Sequence, residues 1–259
     1  MASPLEIAVK AATEAGRLLK DRLGRVQTID FKGGINLVTE MDRLSEELIV
    51  NLISSGFPDH QILSEEGGVQ ENSSPFKWIV DPLDGTTNYA HGFPCYSVSI
   101  ALEEAGGIIL GVVYNPSLEE LFVCERGRGA FRNGKGIRVS STRELGKGLL
   151  ATGFPYDVRE RSEIYLDPFR SFLIKARAIR RAGSAALDLC YVACGIFDGF
   201  WEMKLHPWDV AAGALMVMEA GGTVTDFKGG PFDHYGKEIV ASNGIIHPQM
   251  LEVLNRSEL

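Results

Sequence analysis

Cysteine is scarce: the 259 residues contain four, Cys95, Cys124, Cys190 and Cys194, and no C-x-x-C pair. That is too few for a disulfide framework and the wrong spacing for zinc or thioredoxin-like redox chemistry. Cys190 and Cys194 stand at i, i+4 and read as small core residues of a helix. The five histidines include no H-x-x-x-H, and neither G-x-G-x-x-G nor G-x-x-x-x-G-K-[ST] occurs, so zinc-protease and nucleotide-cradling loops have no support. No apolar run approaches the ~20 residues a membrane helix needs. The opening Met1-Ala2-Ser3-Pro4-Leu5-Glu6 lacks a basic segment followed by an apolar one, and the chain is expected in the cytoplasm, away from membranes. Basic charge is also in deficit. With 26 Lys and Arg against 34 Asp and Glu the formal net charge is −8, which repels a phosphate backbone, so nucleic acid is not an expected partner.

What remains is an ordinary globular composition, 45% hydrophobic and 23% charged, with 29 glycines and 11 prolines. A chain of this length buries a large core in one or two coupled domains. Ser3-Pro4-Leu5-Glu6 reads as a capping box opening a helix that stops at Gly24, and a second helix starts near Thr39 and ends at Gly56 before Pro58. Gln61 to Ser64 and Lys77 to Asp81 read as short strands separated by an exposed loop, Gly67 to Pro75. From Tyr96 to Val139 the pattern is an antiparallel meander with turns at Ala105-Gly106-Gly107 and Asn133-Gly134. Beyond a boundary near Arg138 to Gly148, strands alternate with helices, which predicts a mixed sheet with helices packed on its faces. The chain is expected to form a single catalytic unit over 1–259, with approximate subdomains 1–140 (α+β, carrying the meander) and 141–259 (α/β).

The chemistry gathers where acids stand at element ends. In Trp78-Ile79-Val80-Asp81-Pro82-Leu83-Asp84-Gly85-Thr86-Thr87-Asn88 an apolar strand delivers Asp81, Pro82 stops the ladder, and Asp84 returns three residues later. Gly85-Thr86-Thr87 then offers backbone N–H groups to an oxyanion or phosphate. Taken alone, the segment also reads as a simple β-turn. Ser64-Glu65-Glu66-Gly67 follows another strand, and His206-Pro207-Trp208-Asp209 puts an acid at the head of an otherwise apolar helix, where it could serve only the helix dipole. Carboxylates packed within about 4 Å repel by roughly 4 kcal/mol per pair at an effective dielectric near 20, so such a cluster needs cations. Oxygen ligands without histidine or cysteine select a hard ion, Mg²⁺ before Ca²⁺ or Mn²⁺, and two Mg²⁺ balance Glu65, Asp81, Asp84 and Asp209. This points to metal-assisted hydrolysis of a phosphoryl ester.

Asp81-Pro82-Leu83-Asp84-Gly85-Thr86-Thr87-Asn88 with Pro94, and Trp208-Asp209-Val210-Ala211-Ala212-Gly213 with Glu219-Ala220-Gly221-Gly222, resemble the two signatures of the inositol monophosphatase family. The likeness extends through Leu37-Val38-Thr39 with Asp42, Glu65-Glu66, Gly153-Phe154-Pro155-Tyr156 and Gly183-Ser184-Ala185. It implies a mixed α/β fold, the layered αβαβα sandwich of the inositol monophosphatase and fructose-1,6-bisphosphatase type. It further implies a homodimer, two or three Mg²⁺ per site, lithium sensitivity, and hydrolysis of myo-inositol-1-phosphate or a similar small phosphate monoester by metal-activated water. Carried over by position, Glu65, Asp81 and the Leu83 carbonyl would hold one metal, and Asp81, Asp84 and Asp209 a second. Thr86 with Asp42 would orient and deprotonate the water, with Glu65 beside them in the catalytic set. The Gly85 and Thr86 amides would bind phosphate, Asp84, Gly183, Ala185 and Glu202 would contact the substrate, and Lys32 would lie on a mobile loop. Asn36 departs from the Asp usual in the family, which bears on that loop. Fructose-1,6-bisphosphate and histidinol phosphate are alternative substrates on the same fold, with Arg159, Arg161, Arg180 and Arg181 as candidate partners for a second phosphate. A partner-binding regulatory role is the alternative of a different class.

Overall fold

The computed structural model describes residues 2–24, 29–32 and 36–256. Helix α1 (Pro4–Arg22) opens on the expected capping box, with Glu6 N donating to Ser3 Oγ and Ser3 N to Glu6 Oε2. Strands β1 (Ile29–Lys32) and β2 (Asn36–Thr39) pair antiparallel and lead into α2 (Glu40–Gly56). Lys32 ends β1; its side chain and the Gly33-Gly34 pair that follows it in sequence lie outside the described residues.

Strands β3 (Gln61–Ser64), β4 (Gly68–Gln70) and β5 (Phe76–Asp84) precede a short helix, α3 (Thr86–Ala90). The meander follows as β6 (Ser97–Glu104), β7 (Gly107–Asn115), β8 (Glu120–Glu125), β9 (Ala130–Arg132) and β10 (Lys135–Gly136). Together they form an eight-stranded sheet in the order β10-β9-β8-β7-β6-β5-β3-β4, antiparallel throughout except for β3 against β5. The segment expected to be only a loop therefore contains an edge strand. All three β4 residues are exposed, so no buried face marked it in the sequence.

The second sheet comprises β11 (Leu149–Thr152), β12 (Ala178–Arg180), β13 (Gly199–Met203), β14 (Thr223–Thr225) and β15 (Glu238–Ser242), in the order β12-β11-β13-β15-β14. Helix α4 (Ser162–Lys175) precedes β12, α5 (Ala185–Ala193) precedes β13, α6 (Pro207–Glu219) precedes β14, and α7 (His247–Arg256) follows β15. The sheet is mixed, as expected: β11 lies parallel to β12 and β13, while β15 runs antiparallel to β13 and β14. The apolar run that begins at Ala185 continues to Phe197, but α5 does not. It stops at Ala193 because Gly195 adopts a left-handed φ of 73° and the amides of Ile196 and Phe197 fold back onto the Tyr191 carbonyl.

Three buried clusters define five layers. Ala8, Ala12, Leu19, Ile49 and Ile53 of α1 and α2 pack on the face of the first sheet that carries Trp78, Val80 and Ile100. The opposite face, with Ile79 and Val113, meets α5 and α6 through Leu187, Leu189, Ala211 and Leu215, and Phe200 of the second sheet closes the same cluster. Phe172 of α4 and Met250 and Leu254 of α7 cover the far side of the second sheet on Trp201 and Val240. The sandwich is α1/α2, sheet, α5/α6, sheet, α4/α7, the layered αβαβα arrangement. Because β5 is covered on both faces, it reads as an unbroken apolar run rather than an alternation. Among the described residues no helix is long and apolar enough to cross a membrane.

The central helix layer sits close to the first sheet. A Cβ on Gly111 of β7 would stand 2.9 Å from the Ala212 carbonyl oxygen and 3.0 Å from its Cα, both backbone atoms of α6. Gly111→Ala should therefore push α6 off the sheet and lower stability by about 1–3 kcal/mol. Urea denaturation of variant and wild type measures this, and an unchanged midpoint would show that α6 can yield without loss.

Candidate active site

The two halves of the chain meet over a pocket of about 910 Å³ at the end of β5 and the N-termini of α5 and α6. Strand β5 does not stop at Pro82. It runs on to Asp84 through a bulge: Asp81 pairs with Ser99 and Asp84 with Ser97, so that Pro82 and Leu83 on one strand stand against Val98 alone on the other. Proline is tolerated there because the bulge leaves a residue outside the ladder. The same extra residue brings Asp81 and Asp84 to one pocket. Asp81 shares the strand face of Ile79, toward α6, and its Oδ1 accepts the Leu83 amide at 3.0 Å.

Asp84, Asp209 and Asp42 are each held by a helix start. Asp84 Oδ2 accepts Ser184 Oγ at 2.5 Å and the Ala186 amide at 2.9 Å, so it sits at the N-terminus of α5. Asp209 Oδ2 accepts the His206 amide at 2.7 Å at the head of α6, which Ser99 ties to the first sheet by donating to the Trp208 carbonyl. Asp209 thus has the helix-end role its position suggested and also faces the pocket. Asp42, third residue of α2, takes the Thr39 amide and hydroxyl on Oδ2, while its Oδ1 stands 2.9 Å from Thr86 Oγ. Thr86 Oγ also lies 3.0 Å from the Leu83 carbonyl. Gly85 turns the chain with φ 95°, and a Cβ there would meet the Cys95 carbonyl at 2.9 Å and the Gly183 carbonyl at 3.1 Å. Asn88 donates to the Cys95 and Ala182 carbonyls, fastening this turn to the second half.

Of the residues singled out by sequence, Glu65, Asp81, Leu83, Asp84, Gly85, Thr86, Gly183, Ala185, Glu202 and Asp209 all line the pocket. Asp42 stands behind Thr86, and the Lys32 side chain lies outside the described residues. Gly153 faces the Glu202 carboxylate so closely that a Cβ would overlap it. Several wall residues, Lys204, Asp157 and Asp188 among them, had no assigned role from sequence. Lys204 pairs with Asp157. Asp188, an acid within the apolar run Ala185-Ala186-Leu187-Asp188-Leu189-Cys190, stands one turn into α5. The same contrast of one acid in a helix of small apolar residues that marked Asp209 could have marked it.

The pocket is electrostatically unbalanced. Burial, followed by the charges of Glu65, Asp84 and Asp209, holds the Asp81 carboxyl well above the usual carboxylate range. Asp209 is pushed well up by burial and then by Asp84, against the opposing His206 amide. Asp84 is raised by burial against its hydrogen bonds from Ser184 and the α5 amides. Burial pushes Glu202 to about 8. Among the described residues no Lys or Arg forms an ion pair with Asp81, Asp84 or Asp209. Nor do three or more His, Cys, Asp or Glu side chains close into a metal cage among those residues. An open set of hard oxygen donors fits Mg²⁺, which takes one or two carboxylates and keeps water or substrate phosphate for the rest.

Five layers with an acid-lined pocket at the seam of the two halves define the class of fold, and comparison with known proteins identifies the family. The model of the inositol monophosphatase family matches residues 1–259, and the chain belongs to that family. It is 42% identical to the inositol-1-monophosphatase of Mesorhizobium japonicum, over 97% of this chain and 96% of that one. It is 46% identical to a Pseudomonas aeruginosa protein named Nus factor SuhB, over 87% and 86% of the two chains. The solved structure of inositol monophosphatase from Anabaena sp. PCC 7120 superposes with a TM-score of 0.90 at 42% identity, covering 98% of this chain and 95% of that one. The family is one of phosphatases, typically Mg²⁺-dependent and lithium-sensitive.

A carboxyl whose folded pKa is raised favours the protonated native state, so its contribution to stability is greatest at acid pH and is lost as pH rises through the raised value. Asp209→Asn, measured in EDTA, should therefore melt higher than wild type at pH 8, with the difference shrinking toward pH 5; each kcal/mol corresponds to about 2–4 °C. A variant that melts lower at pH 8 would mean the Asp209 charge is compensated in the fold.

Proposed function

We propose that this protein hydrolyses the phosphate monoester of a small polyol, with myo-inositol-1-phosphate as the leading substrate, using Mg²⁺. The observation that carries the reading is the group of acids on one pocket, Asp81 and Asp84 buried and Asp209 partly so, with no basic side chain paired to them among the described residues. Glu65, Asp81, the Leu83 carbonyl, Asp84 and Asp209 are the residues that would hold the metal ions. Bound there, Mg²⁺ would neutralise the phosphate, make a bound water more acidic and stabilise the departing oxygen.

The chain's own groups supply the rest. Thr86 Oγ receives a proton from the attacking water as it passes its own to Asp42, whose burial raises its affinity for that proton. Water oxygen bonds to phosphorus, the ester P–O bond breaks, and the polyol leaves with a proton from solvent. The Gly85 and Thr86 amides, at a turn where no helical carbonyl precedes them, receive phosphate oxygens. The Ala185 amide and the Glu202 carboxyl receive the polyol, with Gly153 leaving room for Glu202 to stand where it does.

The Pseudomonas relative's name favours a second reading, a partner-binding role in place of or beside catalysis. The intact acid set supports catalysis, and activity decides between them. Phosphate release in Mg²⁺ should exceed that in EDTA and be greatest on inositol-1-phosphate among that compound, fructose-1,6-bisphosphate and histidinol phosphate. No release from any of them would shift the reading to partner binding. Asp84→Asn, which keeps side-chain volume and removes charge, should lower turnover by about 100-fold or more. Retention of a tenth of the rate would remove Asp84 from the metal-holding set.

A further inference from the structure

The mechanism leaves two carboxyls of the pocket wall unused: Asp157, which is paired with Lys204, and Asp188. Asp188 is 2% exposed, its Oδ1 is buried without a hydrogen-bond partner, and no ion pair engages it among the described residues. A carboxyl placed this way loses its water and gains nothing in return, an arrangement that a folded chain keeps only where something else supplies a donor. Its surroundings say what that donor is. Asp188 stands four residues after Ser184 and three after Ala185, on the helix whose first turn the substrate must meet, and Glu202 and Arg181 line the same wall.

Among the described residues, Arg181 is the cation whose field opposes the upward push of burial on both Asp188 and Glu202. One guanidinium set against two carboxyls leaves this end of the pocket with an excess of acceptors. A second phosphate arriving there would face both acids, while a hydroxyl would give each the donor it lacks. We propose that Asp188 is a specificity-determining residue that, with Glu202, accepts hydroxyls of the substrate's polyol moiety and excludes substrates carrying a second anionic group at that end. The inference rests on the polyol-phosphate reading of the same pocket and adds to it a residue and a direction of selectivity.

Asp188→Asn, nearly isosteric, and Asp188→Ala are compared with wild type in Mg²⁺ on inositol-1-phosphate, on fructose-1,6-bisphosphate, and on p-nitrophenyl phosphate, which offers no hydroxyls. The ratio of kcat/KM for inositol-1-phosphate over p-nitrophenyl phosphate should fall about tenfold or more in both variants, carried mainly by KM, the scale of one lost buried hydrogen bond to a charged group. The preference for inositol-1-phosphate over fructose-1,6-bisphosphate should narrow. Thermal melting should show Asp188→Asn at or above wild-type stability, since the carboxyl has no partner to lose. A substrate ratio unchanged in a folded variant, or equal losses on all three compounds, overturns the role of Asp188 while leaving the proposed function standing. A marked fall in melting temperature of Asp188→Asn would show the carboxyl to be structurally engaged and also overturn it. Wild type inactive on every compound overturns the function and this inference together.

Discussion

Negative charge with nowhere to go shapes this protein. Asp81, Asp84 and Asp209 are each less than a tenth exposed or line the same pocket, and they repel one another across it. Left alone, such a cluster would favour protonation or an opened seam. The fold instead offers each acid partial support from backbone: a bulge amide for Asp81, the first amides of α5 for Asp84, and the His206 amide for Asp209. Hydrogen bonds and helix N-termini lower the cost of a buried carboxylate by a kcal/mol or so each without cancelling its charge. On the proposed function, the remaining imbalance is what would give the pocket affinity for a hard cation and, through it, for phosphate.

The layered architecture is the device that brings these backbone donors together. Strand β5 ends between two sheets because helices cover both its faces, and α5 and α6 point their N-termini at its end because they share one layer. Close approach fixes the geometry. Gly111 lets α6 lie on the sheet, Gly85 lets the turn after Asp84 pass between two carbonyls, and Asn88 ties that turn to residues 182 and 183. The pocket is therefore shared by the two halves, and neither half holds the full acid set.

Much of this was legible in the chain itself. The capping box of α1, the start of α2 near Thr39, the meander and the strand–helix alternation followed from local pattern, since caps and turns are decided by neighbouring residues. The acids at element ends identified the pocket wall from Glu65 to Asp209. What sequence hid was non-local. The edge strand β4 pairs through backbone alone and buries nothing, and Pro82 suggested a stop where the β6 partner strand accommodates a bulge. Gly195 ended α5 by a left-handed turn that brings the amides of Ile196 and Phe197 back to the Tyr191 carbonyl. Asp188 went unremarked because only tertiary packing shows that its carboxyl is buried without a partner.

The central claim is that the acid cluster exists to hold hard cations. Anomalous diffraction from crystals grown in Mn²⁺, a redox-silent stand-in for Mg²⁺ under these conditions, tests it without any assay of turnover. The account predicts anomalous density in contact with Asp81, with further contacts drawn from Glu65, Asp84 and Asp209. Density found only at surface carboxylates, with these four acids unligated, would contradict it.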